Sequence, residues 1–158
     1  MNIKIEKNKF LATITKLVGI TEKRSLMPIL SNLLIEFTKG GIKVFSTDLE
    51  ISAIGYVDFK TEEERKIIIH GRKFQEILKE MDNGEIDLEI EENVMKMKQK
   101  NSEFVLGLQD PEEFPEIKEI EGKEKFSLEG RALLEMINKV GFAISVDETR
   151  YVLTGMYM

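Results

Sequence analysis

Few residues in this chain could do chemistry. Asp48 and Glu50 stand two apart in Thr47-Asp48-Leu49-Glu50, and such a carboxylate pair can hold a hard cation. No further ligands accompany them, so the segment reads as a turn between strands. His70 is the single histidine. It sits at a strand–helix joint, the place of a structural or exposed residue rather than of a ligand or base. Gly40-Gly41 lacks the Lys-Ser/Thr that follows a phosphate loop, and Met95 and Met97 have core spacing. The absence of cysteine excludes disulfides, thiolate chemistry and Cys-ligated zinc. What remains is basic. Residues 7–20 contain Lys7, Lys9 and Lys16 and no acid, while the acids gather in 82–92 and 110–124. The net charge of −6 argues against a nucleic-acid partner, but separated charge can leave one face of an acidic protein basic. The plain alternative is a set of solvated faces on an acidic protein–protein interaction domain that binds no DNA.

These side chains need elements to carry them. Ile3 and Ile5 alternate in a short strand. Asn8 is a candidate N-cap. Phe10, Ile14 and Leu17, with Leu11 and Val18, make a helical stripe that Gly19 ends. Lys9, Thr13 and Lys16 repeat the spacing on another face. Pro28 heads an apolar run over 27–37, read as a strand entered through a Pro-fixed turn. Gly40-Gly41 turns it into a hairpin with Ile42, Val44 and Phe45, and a third run covers 51–57. Ile67 to Ile69 form a strand before His70-Gly71. Phe74, Ile77, Leu78 and Met81 are the next stripe, with Arg72, Glu76 and Lys79 on a polar face. After Asn83-Gly84, three alternating runs around 85–91, 94–98 and 104–108 make a meander. Residues 110–125 are acidic, hold Pro111 and Pro115, and read as an interdomain linker with Phe114 pinned into the first domain. Phe126 and Leu128 predict another strand, Leu133, Ile137 and Val140 a third stripe, and 151–158 a final strand.

The pattern repeats. An offset of 64 carries Ile3 onto Ile67, Ile5 onto Ile69, Lys9 onto Lys73 and Phe10 onto Phe74. An offset of 123 carries Ile5 onto Leu128, Phe10 onto Leu133 and Lys16 onto Lys139. A fixed period marks a repeated supersecondary unit, here a strand, a helix and three more strands. Two units make an α+β domain over 1–121: antiparallel sheets, two helices on one side and a pseudo-twofold between the halves. Residues 122–158 begin a second domain. No apolar run approaches the roughly 20 residues of a membrane span, and residues 1–10 lack a signal peptide's apolar core. A cytoplasmic location is the expectation.

Arg24, Pro28-Ile29-Leu30, Asn32-Leu33-Leu34 and Thr47-Asp48-Leu49-Glu50 resemble the N-terminal domain of the bacterial sliding clamp, the β subunit of DNA polymerase III. Gly71-Arg72-Lys73-Phe74, Phe114-Pro115 and Arg150-Tyr151 extend the resemblance over the whole chain. It implies a DNA-clamp fold with the two helices on the inner face of a ring. It implies a non-catalytic processivity factor, needing no cofactor or metal, that encircles duplex DNA regardless of sequence. The partners would be the replicative DNA polymerase, the clamp loader and a second subunit completing a homodimer.

By the same resemblance Arg24, Arg72 and Tyr151 contact DNA, while Lys9, Lys16, Lys73 and Lys79 are candidates by helix face alone. Phe104 and Leu106 match apolar dimer-interface positions, and Leu153 matches one wall of the pocket for partner peptides. The charged part of the interface does not carry over, because Asn101 and Glu103 stand where basic residues are expected. Asp147 stands where relatives carry an uncharged DNA-contacting residue. The chain is expected to be a fragment that neither encircles DNA nor supports processive synthesis.

Overall fold

Glu6 is where the first strand becomes the first helix. A computed structural model describes residues 1–21, 27–117 and 127–157, and divides the chain into two compact units, Met1–Lys118 and Glu119–Met158. In the first unit β1 (Asn2–Glu6) runs directly into α1 (Lys7–Val18). Glu6 keeps extended backbone angles, and its carboxylate accepts hydrogen bonds from the amides of Asn8 at 3.0 Å and Lys9 at 2.8 Å. The cap is therefore Glu6 and not Asn8, two residues later. One carboxylate with two oxygens serves two of the amides that a helix start leaves orphaned.

Pro28–Ser31 is a 3-10 turn rather than the start of a strand, closed by the Leu30 amide on the Met27 carbonyl at 3.1 Å. Proline suits that first position, where no amide donor is needed. The strands follow: β2 (Asn32–Thr38), β3 (Gly41–Thr47), β4 (Ser52–Val57) and β5 (Arg65–His70). Then come α2 (Gly71–Glu80), β6 (Glu85–Ile90), β7 (Val94–Gln99) and β8 (Ser102–Gly107). Gly41 has φ +133°, and a Cβ there would lie 2.9 Å from the Val57 carbonyl, so the hairpin end admits only glycine without strain.

All pairings are antiparallel, in two four-stranded sheets ordered β1-β6-β7-β8 and β4-β3-β2-β5. Each sheet takes its first strand from the other half. β1 pairs with β6, Ile3 opposite Leu88, and β5 pairs with β2, Ile69 opposite Leu33. This exchange is the predicted repeat made visible: β1-α1-β2-β3-β4 and β5-α2-β6-β7-β8 have the same order and the same pairing.

The helices run in opposite directions side by side. Lys7, first in α1, donates from Nζ to the Met81 carbonyl just past α2 at 3.0 Å. A Cβ on Gly71, first in α2, would lie 3.3 Å from Val18, the last residue of α1. Between these ends Gln75 Nε2 donates to Thr15 Oγ1 at 3.1 Å. Phe10, Ile14, Leu17, Phe74 and Leu78 join the inward residues of both sheets in one core. Gly55 lets α1 lie close on β4, since a Cβ there would stand 2.5 Å from Thr13 Cγ2 and 2.9 Å from Leu17 Cδ1. A 3-10 turn at Pro111–Glu113 then buries Phe114 on the first unit.

The second unit contains α3 (Gly130–Val140) and 3-10 turns at Gly141–Ala143 and Glu148–Leu153. Phe126 and Met158 lie outside the described residues. Residues 127–129 and 151–157 form no strand, contrary to expectation. A strand needs a partner, and none is present among the described residues of this unit. The second segment instead bonds within its own unit: Thr154 N donates to the Tyr151 carbonyl at 3.3 Å, and the Leu153 carbonyl accepts from Ser145 N at 2.8 Å. The α3 stripe is not buried. Leu133 and Ile137 are half-buried and, with Leu128, Met136, Val140 and Met156, line a cavity of about 580 Å³.

Candidate nucleic-acid interface

The surface facing away from the core on α1 and α2 carries Lys9, Lys16, Lys73 and Lys79, all exposed, and Arg72, half-buried in the first turn of α2. The acids on these helices are Glu76 and Glu80. The antiparallel arrangement places Lys9 at the end where α2 carries Lys79, and Lys16 at the end where α2 carries Arg72 and Lys73. Lys7 is not part of this surface. It is 5% exposed, and its ammonium caps the C-terminal end of α2, where the helix dipole favours a cation.

Most lysines on or beside the strands behave differently. Lys4 pairs with Asp87 at 3.3 Å, Lys66 with Glu36 at 2.6 Å, Lys98 with Glu89 at 3.0 Å and Lys100 with Asp82 at 2.7 Å. Lys96 lies between Glu89 and Glu91. The Lys98 hydrogen bond, helped by Lys96, holds the Glu89 carboxyl below its usual range, and the Glu91 hydrogen bond pushes Lys96 up. Lys100 does for Asp82 what Lys98 does for Glu89. Among the described residues, none of Lys9, Lys16, Arg72, Lys73 or Lys79 forms an ion pair. Four of the five strand lysines are thus paired, Lys43 on β3 being the exception, whereas the cations of α1 and α2 have no carboxylate within reach among the described residues.

The other candidates fall elsewhere. Arg24 lies outside the described residues. Asp48 accepts the amides of Glu50 at 3.0 Å and Ile51 at 2.7 Å, and Thr47 Oγ1 accepts that of Leu49 at 3.0 Å. The segment is a hydrogen-bonded turn with Leu49 at φ +78°. Among the described residues, no group of three or more carboxylates or histidines is placed to hold a metal ion. His70 is the N-cap of α2, its Nδ1 accepting the Lys73 amide at 3.5 Å, the counterpart of Glu6 in α1. Phe104 and Leu106 lie on the core-facing side of β8, an edge strand, with Leu106 buried and Phe104 half-buried. No described helix is long and apolar enough to cross a membrane.

In the second unit Tyr151 is 83% exposed and Leu153 half-exposed, both in the turn Glu148–Leu153. Asp147 caps that turn: its Oδ1 accepts from Thr149 N at 3.0 Å and Thr149 Oγ1 at 2.6 Å, and these bonds hold its carboxyl below the usual range. Its Oδ2 lies 3.6 Å from Arg150 Nε. That partner was missed from sequence, although the three-residue spacing of Asp147 and Arg150 was the available signal.

The family model for the DNA polymerase III beta subunit, N-terminal domain, matches residues 1–118. The beta sliding clamp of Pseudomonas aeruginosa is 29% identical over 160 residues, covering all of this chain and 44% of the relative. The crystal structure of the DNA polymerase III subunit beta from the same organism superposes with a TM-score of 0.92 at 30% identity, covering 99% of this chain and 43% of that one. A DnaN sliding clamp from Bartonella birtlesii, solved bound to griselimycin, gives 0.92 at 28% identity, with 99% and 42% covered. This chain thus spans less than half the length of the relatives it matches, and it belongs to the DNA polymerase III beta subunit family, over that family's N-terminal domain.

Proposed function

We propose that this chain is the DNA-facing first part of a sliding clamp, with the α1–α2 surface turned toward duplex DNA. The observation that carries this reading is the contrast between the strand lysines, all but Lys43 paired with carboxylates, and the cations on the helices, none of which is paired among the described residues. Cations without a protein partner suit phosphates, whose contacts are sequence-independent and permit sliding. Arg24 and Arg72 contribute with Lys9, Lys16 and Lys73, and Tyr151 contributes from the second unit. In the whole protein a ring would encircle DNA in the cytoplasm, work without catalysis, and raise the polymerase's effective concentration at the primer end. A clamp loader would place it. The domain boundary falls near 121/122. Edge strand β8, through Phe104 and Leu106, pairs with a second subunit, and Leu153 forms part of a partner-peptide pocket. An acidic interaction domain without DNA would not need unpaired lysines on one face.

The test is anisotropy of a labelled duplex over a salt series. Lys9→Ala with Lys16→Ala lowers the slope of log affinity against log salt by about 1.8, two phosphates' worth. Lys7→Ala, made at a buried position, leaves the slope unchanged. Equal slopes in wild type and the Lys9/Lys16 double variant would refute the reading.

A further inference from the structure

The acid at position 147 has a local partner. Asp147 divides its carboxylate between the Thr149 amide and hydroxyl on one oxygen and Arg150 Nε, 3.6 Å away, on the other. The turn these bonds close leaves Tyr151 and Val152 at 83% and 84% exposure. A phosphate approaching Arg150 on its Nε side meets the Asp147 carboxylate already there. We propose that Asp147 is a positioning residue that keeps Arg150 within its own loop, so that this segment meets a duplex through Tyr151 and Val152 without adding a phosphate contact. The inference rests on the DNA-facing reading above.

Physically, with Arg150 held by Asp147 the loop would offer no free cation to a phosphate. Each counterion-releasing contact steepens salt dependence, and a clamp that slides gains nothing from one more charge holding it in place. Asparagine at this position would retain an acceptor for the Thr149 amide, since Asn and Asp cap equally well, but it would carry no charge for Arg150.

The duplex titration over a salt series is therefore run on the whole chain as wild type, Asp147→Asn, Arg150→Ala and the double variant. Asp147→Asn is expected to steepen the slope by about 0.9, so its affinity advantage over wild type grows about threefold to fourfold between 200 and 50 mM salt. Arg150→Ala is expected to leave the wild-type slope alone and to abolish the gain in the Asp147→Asn background. Losing an acid raises DNA affinity at long range whatever Arg150 does, so the dependence on Arg150 is the decisive part. An equal effect of Arg150→Ala in both backgrounds overturns the proposal. So does an Arg150 Nε–H resonance that fails to shift on Asp147→Asn in DNA-free protein. Should wild type show no salt-dependent binding and no response to Lys9 and Lys16, the clamp reading itself fails, an outcome the Arg150 resonance distinguishes from failure of the pair alone.

Discussion

Phe10 and Phe74 meet edge to face, ring centroids 5.4 Å apart and planes at 75°, and they are the same position of two repeats. Their contact lies where α1 and α2 pack in the core. Edge-to-face rings place the positive rim of one against the negative face of the other. The pair thus locks the two halves at their common axis.

Removing either ring should be costly. Phe10→Ala or Phe74→Ala is expected to lower unfolding free energy by about 3–5 kcal/mol, because both are fully buried. The double variant should lose less than the sum, with about 0.5–1.5 kcal/mol of coupling from the ring pair. Urea unfolding of the four proteins measures it, and strict additivity would mean the rings are merely adjacent.

The Glu6 cap ties stability to pH. Two helix amides hold its carboxyl below the ordinary value of 4.5, Lys9 first and Asn8 second. A folded pKa below the unfolded one means the contribution is complete above about 4.5 and disappears as pH falls through the lower folded value. The melting-temperature difference between wild type and Glu6→Ala should therefore be largest near neutrality and shrink below pH 4.5. A difference constant from pH 7 to pH 3 would contradict the cap.

Two strand glycines should respond oppositely to a methyl group. Gly55→Ala pushes into Thr13 and Leu17 on α1 and should cost about 1–3 kcal/mol by overpacking. Gly107→Ala, at the matching edge strand β8, meets nothing within 4 Å and should be neutral or stabilising by up to about 1 kcal/mol. Thermal unfolding compares them directly.

Much of the first unit was legible because both faces of its pattern were answered by partners in the same chain. The alternation at Ile86, Leu88 and Ile90 meets Ile5, Ile3 and Met95 across the ladders, and the stripe from Phe10 to Leu17 meets α2 and the sheets. Where the outcome depended on something beyond local pattern, sequence reasoning went astray. Asn8 has the better capping reputation, yet Glu6 sits where the chain turns. Lys7 resembled its neighbours Lys9 and Lys16 until the antiparallel helix packing carried it to Met81. Tyr151 and its neighbours have strand composition, but a strand is a relation between two segments, and its second member is not among the described residues. The candidate site was legible as charge on a helix face. That its charges lack carboxylate partners, while Lys4, Lys66, Lys96 and Lys98 on the strands have them, depends largely on cross-strand register that no single segment reveals.

The exchange of first strands sets an order on synthesis. β1 leaves the ribosome before the rest of the first unit, yet its partner β6 is encoded at residues 85–90. The first helix and the β2-β3-β4 meander must likewise wait for β5 at residues 65–70 to complete their sheet. Until then the nascent chain displays the open edge of β2 and the apolar side of Ile3 and Ile5. Such long-range pairing is slow to form and exposed to misassociation. Neither half of this domain is a folding unit. β1 is the first strand of this domain to be made and among the last to find its place, so a chain cut between β4 and β5 would yield two pieces that fold only on each other.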